Sequence, residues 1–155
     1  MKRFNIVSLA LLVVASFLFN QSALADAVEQ KVWIKPVNEG GQCTVTALFK
    51  GDKDNCKNKK AKGRDDCAKD EGCVCSRKEK HIAWQMDGSQ SFKVVFDQGD
   101  KNPFVKDGSH ECNFKSNKKG KLRCRVKGKD TPKGMYRYSV EVPNCESAKL
   151  QLKLY

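Results

Sequence analysis

The sequence predicts an all-β fold, an antiparallel β-sandwich carrying a disulfide-rich insertion. Three observations point there. Short segments with period-2 alternation recur along the chain, separated by turn residues. No stretch sustains a helical period. All 8 cysteines follow an N-terminal segment with the make-up of a secretory signal.

The predicted strands run in order from 31–37 (KVWIKPV) and 43–50 (CTVTALFK) to 81–86 (HIAWQM) and 91–97 (SFKVVFD). They continue at 111–116 (ECNFKS), 121–128 (KLRCRVKG), 135–142 (MYRYSVEV) and 148–154 (AKLQLKL). Alternation is clearest in the last four. One face there carries Phe114, Leu122, Val126, Tyr136, Tyr138, Val140, Val142, Leu150, Leu152 and Leu154. Segment 51–80 stands apart. It is rich in Lys, Asp, Asn and Gly, and it holds Cys56, Cys67, Cys73 and Cys75. That composition cannot build a core of its own, so it reads as a disulfide-knitted insertion between two strands, with a weak helical signal at 65–70.

Met1-Lys2-Arg3, an apolar run over Ile6–Phe19 and the small-x-small site Ala23-Leu24-Ala25 form the expected signal, residues 1–25. The run is too short for a comfortable membrane span, and no second one follows. The remainder, 26–155, suits a single domain able to bury about two-thirds of its surface. The expected location is the periplasm or the extracellular space. Loss of Lys2 and Arg3 with the signal leaves 28 Lys plus Arg against 18 Asp plus Glu. Such an excess favours polyanionic partners, and it also favours plain solubility.

Segment 112–124 (CNFKSNKKGKLRC) reads as a hairpin turning near 117–119. If Cys112 faces Cys124, Phe114 faces Leu122 on the same side and Glu111 faces Arg125 on the other; a one-residue slip would break both sets. Opposed strand residues have Cα separations that suit a disulfide, which favours the pair Cys112–Cys124. The other pairings stay open. Cys73 and Cys75, separated by Val74, point to opposite sides if extended and should take different partners. Cys43 and Cys145 lie beside core strands, placed to tie the insertion or the last loop to the sandwich.

The same hairpin carries Lys121, Arg123, Arg125, Lys127 and Lys129 at alternate positions, with Lys115, Lys118 and Lys119 close by. Neighbouring like charges start roughly 6.8 Å apart along a strand. This is an expected polyanion-binding stripe, or alternatively a charged edge that discourages aggregation. No aromatics interleave it in sequence for base stacking, which argues against sequence-specific nucleic-acid binding.

Residues 132–154 (PKGMYRYSVEVPNCESAKLQLKL) resemble the C-terminal end of cupredoxins through Gly134, Tyr136 and Tyr138, and Trp84 with Phe92–Phe96 resembles the preceding strands. The resemblance implies a cupredoxin-like sandwich; an immunoglobulin-like one fits the strand pattern equally. Under it the copper-ligand positions fall on Val140, on Cys145 and near Ser91 or Phe92. A type 1 site needs two imidazoles and a thiolate, so the resemblance implies the architecture without that copper.

No catalytic constellation emerges, and the chain reads as a non-enzyme without a cofactor. His81 and His110, the only histidines, read as structural or surface residues, and Ser109 beside His110 is adjacency in sequence alone. Cys56, Cys67, Cys73 and Cys75 do not have zinc-module spacing. An EF-hand register from Asp52 fails at Lys57 and Gly63. The leading expectation is a secreted binding protein contacting an anionic polymer or envelope surface. The alternatives are a protein-interaction or inhibitor module using the insertion, and a metal or thiol-redox protein using its cysteines.

Overall fold

The computed structural model describes residues 29–49, 54–58, 64–97, 102–105 and 112–155. The expected signal 1–25, Asp52, Ser109, His110 and Glu111 lie outside them. Strand β1 (Glu29–Glu39) turns directly into β2 (Gln42–Phe49) through Gly40 and Gly41. Both glycines have positive φ, 57° and 84°, the combination that a two-residue hairpin turn matched to strand twist requires. On its other side β1 pairs in parallel with β4 (His81–Met86), and β4 pairs antiparallel with β6 (Lys121–Arg125). The first sheet is therefore ordered β2-β1-β4-β6. The second, β3-β8-β7-β5, comprises β3 (Cys73–Ser76), β8 (Ala148–Leu154), β7 (Gly134–Glu141) and β5 (Lys93–Phe96).

Alternation explains how the two sheets face each other. Ile82, Trp84 and Met86 of β4, Val32 and Ile34 of β1, and Leu122 and Cys124 of β6 are buried on one inner face. Val94, Tyr136, Tyr138, Val140, Leu150, Leu152 and Leu154 are buried on the other. Each large apolar side chain sealed in this way contributes about 1.5–3 kcal/mol. At the centre, Trp84 packs edge-on against Phe104 and Tyr138 at centroid distances of 5.6 and 5.9 Å. Its indole Nε1–H donates to the Tyr138 hydroxyl at 3.3 Å, satisfying a donor that burial would otherwise penalise.

The sandwich expectation is met, with two differences. The sheets are mixed, since β1–β4 and β3–β8 are parallel pairs. The expected strand at 111–116, and with it the 112–124 hairpin, does not form among the described residues. Phe114 adopts φ 56°, which interrupts extension, and its carbonyl accepts from Val94 N–H while Ser116 N–H donates to Phe92 O. Segment 112–116 thus leaves β6 and crosses to β5 of the second sheet. β6 pairs with β4 instead, because Cys124 and Leu122 are already inward-facing there.

The insertion also contributes more than a loop. Cys73–Ser76 is a fully buried strand alongside β8, and α1 (Asp65–Ala68) is a single helical turn. A strand of 4 residues buried on every side shows no alternation to read. Four disulfides staple the fold: Cys43–Cys145, Cys56–Cys75, Cys67–Cys73 and Cys112–Cys124. Cys112 and Cys124 pair as expected, and Cys73 and Cys75 take different partners. Cys43–Cys145 ties the start of β2 to the β7–β8 loop. Arg64, 2% exposed, stacks its guanidinium on the Tyr155 ring and donates to Asn55 O, which fastens the insertion to the end of β8.

Candidate functional site

The site is the outer face of the β2-β1-β4-β6 sheet, the side turned away from the core. Alternation in β6 buries Leu122 and Cys124 and leaves Lys121, Arg123 and Arg125 exposed. Strand register then places these cations in rows across the sheet. Arg125 lies beside His81 and then Glu29; Arg123 beside Ala83 and then Lys31; Lys121 beside Gln85, Trp33 and Leu48. Lys35 follows on β1, next to Thr46 of β2. These rows hold five cations and one carboxylate.

Part of this charge is compensated. Arg123 Nε sits 2.5 Å from the Glu29 carboxylate, and an Arg125 guanidinium nitrogen 3.7 Å from that of Glu79. Both pairs are at least partly solvent-exposed, and such pairs are worth about 0–1 kcal/mol, so neither holds its cation firmly.

The structure divides the expected stripe. Lys121, Arg123 and Arg125 stay together. Lys118 and Lys119 are exposed on the adjoining turn, whose shape is set by Asn117 Oδ1 accepting from the N–H groups of Lys119 and Lys121. Lys115 bridges to Lys93 of β5 and so belongs to the rim between the sheets. Lys127 is half-buried and donates through Nζ to Asn102 O at 3.2 Å. Lys129 is exposed beyond it, and both line a separate cleft of about 850 Å³ with Thr131, Lys133 and Tyr136. The alternation ends at Arg125 because the Gly128–Thr131 turn follows, with Thr131 N–H donating to Gly128 O.

Sequence reasoning missed Lys31, Trp33 and Lys35 as part of this surface. The alternation in KVWIK shows that they share a face. Only the parallel β1–β4 pairing, made across about a third of the chain, brings that face two strands from β6.

The other candidates resolve differently. Cys56, Cys67 and Cys75 place their sulfurs within 4.8 Å of one another, but each is in a disulfide and offers no thiolate ligand. Asp54 and Asp70 act as turn formers, accepting from the N–H groups of Cys56 and Gly72. Of the positions that the cupredoxin resemblance identifies, Val140 is a sealed core residue without a donor atom, and Cys145 is in a disulfide. His81 lies half-buried on the outer face of β4.

No helix among the described residues is long and apolar enough to cross a membrane. Four disulfides place the folded chain in an oxidising compartment.

No family model matches the chain, and no curated protein matches it. Among solved structures it is similar to the McoA multicopper oxidase of the hyperthermophile Aquifex aeolicus, with a TM-score of 0.37 and 9% identity over 84% of this chain and 28% of that one. It is also similar to a multi-copper oxidase from Pediococcus acidilactici, with a TM-score of 0.34 and 10% identity over 84% of this chain and 27% of that one. A laccase from Pediococcus acidilactici Pa5930 gives a TM-score of 0.36 and 9% identity over the same shares. The chain spans less than a third of the length of these proteins. The sandwich architecture rests on the strand pairing of this chain, and the copper chemistry in those names stays with those proteins.

Proposed function

We propose that the chain is a secreted or periplasmic, non-enzymatic binding module that engages anionic polymers through the outer face of the β2-β1-β4-β6 sheet. The observation that carries this reading is the exposure of Lys121, Arg123 and Arg125 on one strand face, with Lys31 and Lys35 on the same side of the sheet. Edge protection does not account for these charges. The C-terminal end of the β6 edge is already capped by backbone pairing, Val105 N–H to Arg125 O, with Lys127 N–H to Pro103 O just beyond the strand, and the side chains project from the face.

The test is binding of the full chain to inorganic polyphosphate over a range of salt. Each cation that releases a counterion adds close to one unit to the slope of log affinity against log salt. The combined changes Lys121→Gln, Arg123→Gln and Arg125→Gln should weaken binding and lower that slope by about two to three. They should leave the thermal midpoint nearly unchanged, because all three side chains are exposed. Identical affinity and slope in parent and variant would refute the proposal.

A protein-docking role for the cysteine-rich segment calls for a different probe. Deleting the segment would remove β3, which packs in the core, so charge reversal at exposed Lys57, Asp66 and Lys69 is the appropriate change.

A further inference from the structure

Trp33 occupies an unusual position on this surface. It projects from β1 on the outer face and is partly exposed, while the other tryptophan, Trp84, is fully sealed in the core. Among the described residues its ring makes no aromatic or cation contact. A lone exposed apolar side chain is ordinary; the setting of this one is not. Lys31 and Lys35 flank it on β1, each roughly 6.8 Å away along the strand. Gln85 and Lys121 extend from it across the sheet, the latter two strand spacings or roughly 10 Å distant. Ala83, one row over between Lys31 and Arg123, contributes only a methyl group and leaves the sheet low beside the indole.

We propose that this face is a docking surface for an acidic polysaccharide, with Trp33 stacking on a sugar ring while Lys31, Lys35, Lys121 and Arg123 meet its carboxylates. This rests on the anionic-polymer reading above and names its occupant. The chemistry matches on three counts. A sugar ring presents a flat C–H face that an indole covers. Its hydroxyls suit the Gln85 amide, which both donates and accepts. Carboxylates along an extended polymer meet cations spaced along and across a flat sheet through charge-assisted hydrogen bonds. A single-stranded nucleic acid is the poorer fit, since such sites stack successive bases on several aromatic rings. Among the described residues this face offers one large aromatic ring, Trp33, and the half-buried His81 imidazole two rows away, with Leu48 as the other large apolar neighbour in the Trp33 row.

The experiment compares the parent chain with Trp33→Ala and Trp33→Phe against polygalacturonate, inorganic polyphosphate and a thymidine oligonucleotide. Polyphosphate carries charge without a ring to stack. Trp33→Ala is expected to weaken polygalacturonate binding roughly tenfold, equivalent to about 1.4 kcal/mol, and to leave polyphosphate affinity unchanged. Trp33→Phe, which keeps a ring, retains most of the affinity and supplies a second variant should the alanine chain fold poorly. In the parent, polygalacturonate should shield the exposed indole from acrylamide quenching, and polyphosphate should not. Polygalacturonate binding that ignores Trp33, while polyphosphate still binds through the cations, overturns the polysaccharide assignment and leaves the anionic-polymer reading standing. Trp33-dependent binding confined to the oligonucleotide overturns it in favour of a nucleic acid. Failure of every polyanion to bind removes both proposals.

Discussion

Removing the Cys43–Cys145 disulfide should cost more stability than its half-buried position suggests. The bond joins residues 102 apart in sequence. Closing a loop of that length removes unfolded-chain entropy worth about 4.7 kcal/mol at 25 °C on the loop-closure model. The folded state, by contrast, should hardly notice the change. Both cysteines are only half-buried, and the same junction is held by backbone bonds from Val45 N–H to Glu146 O at 3.0 Å and from Glu146 N–H to Cys43 O at 2.8 Å. Cys112–Cys124 would be a poorer test, because its two cysteines are 2% and 1% exposed and replacing them adds packing loss. The variant carries Cys43→Ala and Cys145→Ala with the other three bonds intact. Urea unfolding is the assay, and with a slope of about 2 kcal/mol/M the midpoint falls by roughly 2.4 M. The near-ultraviolet circular dichroism of the native state should be unchanged. A loss below about 2 kcal/mol with an unaltered native spectrum would refute the loop-entropy argument.

Two further outcomes follow from backbone and core geometry. Gly120 has φ 63°, and an added Cβ would fall on the Met86 carbonyl oxygen. Gly40 has φ 57° with open space around it. Gly40→Ala should therefore cost about 1–2 kcal/mol, the left-handed penalty alone, and Gly120→Ala clearly more in the same thermal or urea melt; equal costs would contradict the close approach. Burial raises the pKa of the Tyr138 hydroxyl well above its ordinary 10.0, so in the folded chain it stays protonated where the unfolded chain ionises. Its contribution is fully present below about pH 10 and is lost as pH rises towards the folded value. Phenolate absorbance should show Tyr138 silent until the chain unfolds, and stability should decline above about pH 10.

Much of the sandwich was legible because alternation reports burial directly. Ile82, Trp84 and Met86, or Tyr136, Tyr138 and Val140, announce an inner face in sequence and occupy one in space. The Cys112–Cys124 bond forms as expected, although the hairpin register that it was argued from does not. That departure was not legible, because the left-handed Phe114 and the crossing to Phe92 and Val94 depend on tertiary contacts that no local pattern encodes. Cys73–Ser76 escaped because a strand buried on every side has no polar face. The candidate surface was half visible. Lys121, Arg123 and Arg125 show their shared face in sequence, whereas Trp33 and its flanking lysines join them only through a parallel pairing of distant segments.

The pattern of strand pairing also orders the events of folding. β1–β2 and β7–β8 are the pairings between strands adjacent in the chain, and they belong to different sheets. β1–β4 and β3–β8 join segments far apart and must await closure of long loops, which makes non-local pairing slow. The two local hairpins are therefore the natural early units. The junction of Thr44 with Glu146, beside Cys43 and Cys145, is where they meet. Oxidation at this point covalently fastens the two hairpins, which belong to different sheets, where their backbones already meet. For a chain that folds while it is being oxidised, the half-buried position of these two sulfurs keeps that step within reach of a thiol-exchange catalyst until late in assembly.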